Sequence, residues 1–372
     1  MALNAMTVSA GTALDVLRTA WAAQRAGRLT AAYMLHGAPG VGKSQIVAQL
    51  AEEIGARLFD LRLTTIEPQD LRGLPYYDHD ARKTVWYRPE DLPDDPDAPS
   101  VLFLDELTAA APSLQPTVYG LLQERRVGQH RLPDSVFLVA AGNTVEDGAI
   151  AYEMGSALSD RLVHLHVTAS ATDWLENFAV PHGLHPAVIA FLRSRGDLLS
   201  TGAAAQERDE IIAATPRAWE RVSDILRAVP DRRQRNILVA GTVGEAIGAE
   251  FALVADEVAA SVKIEELLAT DRGRRAPLYP ETMHGLHALV YGLIGALTAQ
   301  TAPRIIECMA DLATLPDARP EPVFRTLPLE ELRTHGFELL IQQALARDLA
   351  DAFLDSPVYA DYARAREDAG LA

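Results

Sequence analysis

A glycine-rich stretch that ends in a lysine and a serine contains the residue types with the clearest chemical meaning in this chain. Residues 37–44 read Gly-Ala-Pro-Gly-Val-Gly-Lys-Ser and fit the pattern G-x-x-x-x-G-K-[ST] in full. Glycines let backbone N–H groups approach a polyphosphate closely, and a helix that starts there adds a favourable dipole. We therefore expect a phosphate-binding loop lined by Gly37, Ala38, Pro39, Gly40, Val41, Gly42, Lys43, Ser44 and Gln45.

Two side chains of this loop have distinct expected roles. Lys43 is expected to reach the β- and γ-phosphate oxygens, and the Ser44 hydroxyl is expected to be one ligand of Mg²⁺. The apolar run 31–35 predicts a buried strand before the loop, and apolar residues at helical spacing over 45–54 predict a helix after it. The alternative is a glycine-rich turn with a chance lysine, but the strand and helix on either side favour an anion site.

Two acidic residues follow a second buried strand. Four apolar residues, 101–104, come directly before Asp105 and Glu106. Ligands of open α/β sheets bind at the carboxyl ends of the strands, where these two side chains would lie. We expect Asp105 to hold Mg²⁺ and Glu106 to orient and polarise an attacking water. By itself an acidic pair after a strand is equally well explained as a strand-end cap.

An amide ends a further buried strand. The run 135–142 is apolar, and Asn143 follows it. Because an amide both donates and accepts hydrogen bonds, Asn143 could bridge an attacking water and a γ-phosphate. A turn asparagine is the equally weighted alternative.

Two arginines further along the chain are weaker candidates. Arg161 ends a predicted helix before the strand 163–167, where an arginine is usually a surface charge. Arg217 follows Thr215 and Pro216, which suit the first positions of a helix. An arginine at the positive end of a helix is disfavoured unless an anion is near, and a phosphate would supply one. An exposed arginine at a helix start is the alternative.

Two short hairpins are predicted beside this machinery. Residues 73–89 hold two aromatic runs separated by Asp-His-Asp, which predicts a hairpin inserted into a helix. Residues 125–132 are basic and predict a second hairpin. Each is either a plain surface hairpin or a mobile contact loop.

Composition limits the class of protein. The 372 residues include 51 acidic and 34 basic ones, a formal charge of −17 that disfavours general nucleic-acid binding. The lone Cys308 cannot form an internal disulfide, which favours a reducing cytoplasm. The N-terminus lacks the pattern of a signal peptide. No stretch predicts a membrane span, because the most apolar one, 286–299, is short and contains His287.

Together, the order and spacing of these pieces resemble an AAA+ ATPase. The inserted hairpin is similar to the helix-2-insert clade. Resemblance to the MoxR group rests on residues 105–110, Asn143, residues 154–161 and residues 215–221. The resemblance is strong over residues 12–250. It implies that residues 37–44 are Walker A, Asp105 and Glu106 Walker B, Asn143 sensor 1, Arg161 an arginine finger that acts on the neighbouring subunit, and Arg217 sensor 2.

The resemblance carries further expectations about fold and partners. It implies an αβα P-loop core with a parallel sheet over residues 1–168, a helical lid over 169–265 and a C-terminal helical region over 266–372. It also implies ATP and Mg²⁺ as cofactors, a homo-oligomeric ring, expected to be a hexamer, and a client protein with a von Willebrand A domain. The chain departs from the family pattern at position 108, where it has threonine and many relatives carry asparagine. The resemblance therefore does not predict the hydrogen bond that this residue makes near Asp105 and Glu106.

The resemblance implies an ATP-hydrolysing chaperone or remodeller that acts on a partner protein. Two other functional classes remain as alternatives. An ATP-gated scaffold with little hydrolysis is disfavoured by the presence of Glu106 and Arg161. A nucleic-acid-directed NTPase is disfavoured by the acidic balance. No residue near the phosphate loop distinguishes ATP from GTP.

Overall fold

The computed structural model describes residues 3–144 and 156–368, with side chains of 156 and 157 left out. The chain divides into two compact units. Unit 1 comprises Met1–Ser170, Gly202–Ile211 and Thr215–Arg217, and unit 2 comprises Ala171–Thr201, Ile212–Ala214 and Ala218–Ala372. The three-domain division stated above stays a prediction.

Six parallel strands form the sheet of unit 1, and four further strands form two small hairpins. The sheet has the order β1-β10-β2-β9-β6-β3, and β4–β5 and β7–β8 are antiparallel pairs. The strands are β1 Met6–Val8, β2 Ala32–His36, β3 Arg57–Arg62, β4 Pro75–Asp78, β5 Lys83–Trp86, β6 Ser100–Asp105, β7 Arg126–Val127, β8 His130–Arg131, β9 Val136–Gly142 and β10 Leu162–Val167.

Helices cover both faces of this sheet and make up most of unit 2. They are α1 Ala10–Arg25, α2 Lys43–Glu53, α3 Pro68–Arg72, α4 Gln115–Glu124, α5 Ser156–Ser159, α6 Ala171–Trp174, α7 Pro186–Ser194, α8 Gly202–Glu207, α9 Pro216–Ala228, α10 Arg232–Val243, α11 Glu245–Ser261, α12 Ile264–Ala269, α13 Met283–Gly295, α14 Ala302–Asp311, α15 Leu315–Ala318, α16 Leu329–Ala346, α17 Asp351–Leu354 and α18 Pro357–Asp368.

Alternation along the strands separates two apolar cores, one on each face of the sheet. Tyr33 and Leu35 of β2 belong to the same buried cluster as Leu50 of α2. Met34, between them, belongs to a second cluster with Leu121 of α4. Successive side chains of a strand point to opposite faces, so an entirely apolar strand fills both cores. The predicted αβα core with a parallel sheet and a helical C-terminal segment is confirmed.

Two parts of the chain differ from the predictions. The edge strand β1 was not predicted, because its three residues carry no strong apolar pattern. Apolar residues at four-residue steps predict one helix over residues 329–353 with a narrow apolar stripe of Phe337, Ile341, Leu345, Leu349 and Phe353. The prediction of a single helix is wrong, since α16 ends at Ala346 and α17 begins at Asp351. Asp348 has a left-handed backbone (φ 58°), which a continuous helix does not allow. The predicted apolar stripe is therefore interrupted, and Leu345 within it is 64% exposed.

An aromatic cluster lies in the core of unit 2. The rings of Phe191, Trp219 and Phe251 lie 5.4–5.5 Å apart, centroid to centroid, and bring together α7, α9 and α11. The indole N–H of Trp219 donates to the carbonyl of Leu198 at 2.9 Å, so this fully buried ring has its one polar group satisfied. Across the described residues, no helix is long and apolar enough to cross a membrane.

Two buried histidines of unit 2 are held in the neutral form, and acid would protonate them. Burial, together with the positive charges of Arg227 and Arg235, lowers the pKa of His185 to about 4. The His185 Nδ1 atom accepts the N–H of Ala187 at 3.2 Å, which requires an unprotonated nitrogen. Burial likewise lowers the pKa of His287 to about 4. Both rings are therefore neutral in the folded chain at neutral pH.

Unit 2 is accordingly expected to lose stability as the pH falls below 6.5. An unfolded histidine binds its proton near pH 6.5, whereas these two bind it in the folded chain only near pH 4. Their stabilising contribution is complete above pH 6.5 and declines toward pH 4, by at most about 1.4 kcal/mol per pH unit for each ring. Urea unfolding followed by circular dichroism at pH 7, 6 and 5 measures this slope. His287→Gln should reduce the slope and the exposed His79→Gln should not; equal slopes in all three proteins would contradict the assignment.

Candidate functional site

The predicted phosphate loop joins β2 to α2 in unit 1. Gly42 occupies the position before α2 with a left-handed φ of 107°. Gly37 has φ 151°, and a Cβ placed on it would lie 2.3 Å from the carbonyl oxygen of Val167 on β10. That distance is far below a van der Waals contact, so only glycine fits at position 37. The start of the loop thus lies against the neighbouring strand, and position 37 cannot carry a side chain.

Lys43 is buried inside the loop. It is the first residue of α2 and is 8% exposed. Its ammonium donates to the backbone carbonyl of Ala38 at 3.0 Å and to Oδ1 of Asn143 at 2.9 Å. A third hydrogen bond goes to the carbonyl of Gly37. These neutral oxygens hold the positive charge where the loop turns, and anionic phosphate oxygens would be stronger acceptors for it.

Ser44 and Asp105 form a pair of oxygen donors beside the lysine. The Ser44 hydroxyl donates to Oδ2 of Asp105 at 3.2 Å, and the other carboxylate oxygen of Asp105 accepts the Glu106 N–H at 2.8 Å. A hydroxyl and a carboxylate at this separation suit Mg²⁺, which takes few protein oxygens and keeps the rest of its shell for water and phosphate. The donor set therefore fits the cation that the sequence implies.

The electrostatics of this sheet edge also fit a cation. Asp60 lies on β3, the strand next to β6. Partial removal from water raises the pKa of Asp60, the negative charge of Asp105 raises it further, and Arg62 acts in the opposite direction. One carboxylate that raises the pKa of another signals an excess of negative charge, which a divalent cation would neutralise.

Glu106 is held by residues that the sequence reasoning missed. Its backbone is left-handed (φ 59°), and its carboxylate accepts a short hydrogen bond from the Thr64 hydroxyl. Arg62 Nε lies 3.8 Å from the same carboxylate. Both partners come from the carboxyl end of β3, which pairs with β6. A polar residue directly after the neighbouring strand was the signal that could have identified Thr64.

Asn143 and Thr108 complete the centre of the site. Asn143 follows β9, and its amide oxygen faces Lys43. The Thr108 hydroxyl donates to the backbone carbonyl of Asn143 at 3.0 Å. A Cβ on Gly142 would lie 2.5 Å from that hydroxyl oxygen, so the small residue before Asn143 makes room for the contact. Thr108 therefore does form a hydrogen bond near the acids, and its acceptor is the main-chain carbonyl of Asn143.

The segment that contains Arg217 belongs to the same unit as the phosphate loop. Residues 215–217 are part of unit 1, whereas the rest of α9 belongs to unit 2. Thr215 lies so close to the loop that a Cβ on Gly40 would be 3.0 Å from the threonine hydroxyl oxygen. Arg217 itself is exposed. Its segment therefore stands beside the loop, as its predicted role requires.

Arg161, the second candidate arginine, lies in a different segment of unit 1 from Arg217. It lies between α5 and β10, is exposed, and donates its backbone N–H to the carbonyl of Leu158 at 3.1 Å. Residues 154 and 155 of the run used for the family resemblance lie outside the described residues.

The two predicted hairpins lie against each other in unit 1. Gln129 of the second hairpin donates its amide N–H to the Trp86 carbonyl of the first at 3.0 Å. The Arg72 guanidinium stacks on the Trp86 ring at 4.8 Å and, with Arg126, lines a cavity of about 410 Å³. Tyr77, at 77% exposure, is among the aromatic side chains that the first hairpin presents to solvent. The hairpins thus form one surface with aromatic and cationic groups.

Comparison with known proteins identifies the region that contains most of this site. Residues 32–162 match the family described as AAA domain (dynein-related subfamily). Over 115 residues, the chain is 35% identical to ATPase family gene 2 protein homolog B of Mus musculus. That alignment covers 31% of this chain and 13% of the mouse protein. Residues 32–162 are thus similar to an AAA domain, and the alignment with the mouse protein spans only a small part of that protein's length.

Solved structures with a similar chain path have low sequence identity. The RuvB Holliday junction branch migration motor of Thermotoga maritima is 14% identical, with 90% of this chain and 86% of that one covered and a TM-score of 0.31. NtrX of Brucella abortus is 18% identical, with 62% and 51% covered and a TM-score of 0.31. Superpositions this loose establish no shared function.

Proposed function

We propose that this chain is a MoxR-type AAA+ ATPase that hydrolyses ATP in a cytoplasmic ring of identical copies, expected to be a hexamer, and remodels a partner protein. The observation that carries the proposal is a pair of hydrogen bonds from consecutive residues: Lys43 donates to Asn143, and Ser44 donates to Asp105. The match of residues 32–162 to an AAA domain supports the same conclusion.

Each residue has a defined task in the proposed reaction. The loop N–H groups and Lys43 bind the phosphates. Ser44 and Asp105 would hold Mg²⁺, which would supply positive charge against the phosphates. Glu106 orients the attacking water, and Asn143 holds it against the γ-phosphate. We assign to Arg217 a contact with the nucleotide of its own chain. We assign to Arg161 the stabilisation of the charge that develops in the site of the next copy.

In the described conformation, a hydrogen bond from Thr64 orients the Glu106 carboxylate. The Thr64 hydroxyl donates to Oε2 of the carboxylate, and the negative charge of the acceptor strengthens this hydrogen bond. Productive attack on ATP requires this hydrogen bond to break or weaken. Thr64 therefore restrains the candidate base Glu106. Both residues belong to one chain, so the restraint does not need a second copy.

Removing this restraint is expected to raise the basal rate of hydrolysis. Thr64→Val keeps the size of the side chain and removes the donor, and we expect kcat to rise about threefold to tenfold, the equivalent of one charge-assisted hydrogen bond partly offset by mobility. Release of inorganic phosphate from ATP measures the change. Thr65→Val is the matched control, because the Thr65 hydroxyl donates to the Arg62 carbonyl. A rate at or below that of the parent would show that Thr64 does not restrain Glu106.

The client is proposed from the family resemblance and from the joined hairpins. The resemblance implies a protein with a von Willebrand A domain, and the surface formed by residues 73–89 and 125–132 is the proposed contact. Affinity capture of the tagged chain from its native host, with Glu106→Gln present to retain ATP, tests the assignment. A von Willebrand A domain protein that is lost from Tyr77→Ser samples would support it. Capture of the same proteins with and without ATP would count against an ATP-driven remodeller.

A phosphate-release assay separates the remaining classes of function. Turnover that is unchanged by added DNA or RNA is expected for a protein remodeller. Stimulation by a nucleic acid would favour a nucleic-acid-directed NTPase instead. Assembly with ATP but without phosphate release would favour a scaffold.

A further inference from the structure

Two imidazole rings connect the strand before the phosphate loop to the strand after Arg161. His36 is the last residue of β2, directly before Gly37, and is 6% exposed. His164 lies on the neighbouring strand β10. The His36 Nε2 atom and the His164 Nδ1 atom are 2.8 Å apart, a hydrogen-bond distance. The two rings therefore join the two strands through their side chains as well as through the sheet.

The partners of His164 determine the direction of this hydrogen bond. The other ring nitrogen of His164, Nε2, lies 2.8 Å from the carbonyl oxygen of Ser159 and 3.2 Å from its hydroxyl. A carbonyl oxygen only accepts, so His164 Nε2 carries the proton. In the neutral ring Nδ1 is then an acceptor, and His36 Nε2 is its donor. The contacts run from His36 to His164 and from His164 to Ser159.

These contacts end at the turn that presents Arg161. Ser159 is the last residue of α5, and the final carbonyls of a helix lack partners within it. His164 supplies a donor to one of them. Arg161 follows two residues later and is itself hydrogen-bonded back to Leu158. The position of this turn is therefore set by His164, and through it by the strand that enters the phosphate loop.

We infer that His36 and His164 are positioning residues that couple the phosphate loop of one copy to the arginine that the same copy offers to its neighbour. The inference rests on the proposed action of Arg161 across copies. A shift of β2 or the loop when phosphates bind would be passed through two hydrogen bonds to the turn 159–161. Neither histidine touches the reacting atoms, so their effect is on turnover and not on nucleotide binding.

Complementation between two inactive proteins tests the inference. Copies with Glu106→Gln supply Arg161 but have no base, and copies with Arg161→Ala have a complete site but supply no arginine. Mixed assemblies should regain phosphate release that neither protein shows alone. If this pair stays inactive, Arg161 does not act across copies, and both the proposed function of Arg161 and the inference drawn from it are overturned.

His164→Phe is then added to one protein of the active pair at a time, which distinguishes coupling from a merely structural role. On the copies that supply Arg161, we expect turnover to fall about 10- to 100-fold, the usual cost of a misplaced catalytic group. On the copies that hydrolyse ATP, we expect a change of less than about threefold. Equal losses in both positions, or no loss in either, would overturn the inference. Binding of a fluorescent ATP analogue should stay within about twofold of the parent in both.

Two further variants guard against a folding defect. An amide carries an acceptor and a donor that can take the places of Nδ1 and Nε2, so His164→Gln on the supplying copies should recover most of the lost turnover. His166→Phe removes the histidine two residues along β10, which contacts Thr7 at 3.5 Å, and should leave complementation unchanged. Failure of His164→Gln to recover turnover while its unfolding midpoint equals the parent's would overturn the assigned hydrogen bonds.

Discussion

Replacement of Arg161 by alanine is expected to lower kcat for ATP hydrolysis about 10³- to 10⁵-fold and to leave ATP binding nearly unchanged. The physical reason is that a guanidinium from a neighbouring copy neutralises charge that develops on the γ-phosphate only as the bond breaks. Arg161 is exposed in the turn between α5 and β10, where a second copy can reach it. Single-turnover phosphate release and equilibrium binding of a fluorescent analogue measure the two quantities separately.

The control for this variant is another exposed arginine of unit 1. Arg28 lies in the turn after α1, and Arg28→Ala should hydrolyse ATP like the parent. The rate of the parent itself should rise faster than linearly with protein concentration, because each complete site needs two copies. An Arg161→Ala protein that retains the parental rate, or a parental rate strictly proportional to concentration, would refute action across copies.

Replacement of Glu106 by glutamine is expected to lower kcat about 10²- to 10⁴-fold, the usual contribution of a positioned general base. Glutamine has nearly the same shape and still accepts the Thr64 hydrogen bond, so the change removes the charge and little else. Because Lys43, Ser44 and Asp105 are untouched, ATP should stay bound. The protein should therefore accumulate in its ATP-bound, assembled form.

Size-exclusion chromatography with light scattering, with and without ATP, measures this accumulation. We expect the Glu106→Gln protein to elute as a ring with ATP and as smaller species without it. Glu52→Gln, an exposed substitution on α2, is the matched control and should behave like the parent. A Glu106→Gln protein that remains monomeric in ATP, or one that hydrolyses ATP at the parental rate, would contradict the assigned role.

Arg161→Ala and Glu106→Gln both lower turnover, but for different reasons. Loss of the base stops the attack within one site, whereas loss of the arginine removes charge stabilisation supplied from outside. The pair can therefore complement each other in mixed assemblies, and two substitutions within one site, such as Glu106→Gln and Lys43→Ala, cannot. This contrast gives the proposed geometry a test that does not depend on the identity of the client.

The sequence by itself determined the architecture of unit 1. Buried strands, the phosphate loop and the acids at the end of β6 depend on contacts between residues near in sequence: apolar runs, glycine conformations and the start of a helix. These features are readable because strand and helix periods repeat within a few residues. The same local reasoning missed the break at Asp348, where a left-handed residue ends α16 inside an apolar pattern.

The tertiary structure alone decided which polar groups meet. Asn143 faces Lys43 across 100 positions of sequence, Thr64 holds Glu106, and His36 bonds His164. In each case the two residues lie on, or in the segments that follow, strands that are distant in the chain and adjacent in the sheet. A parallel sheet fixes such neighbours through strand order and register, which no local pattern encodes.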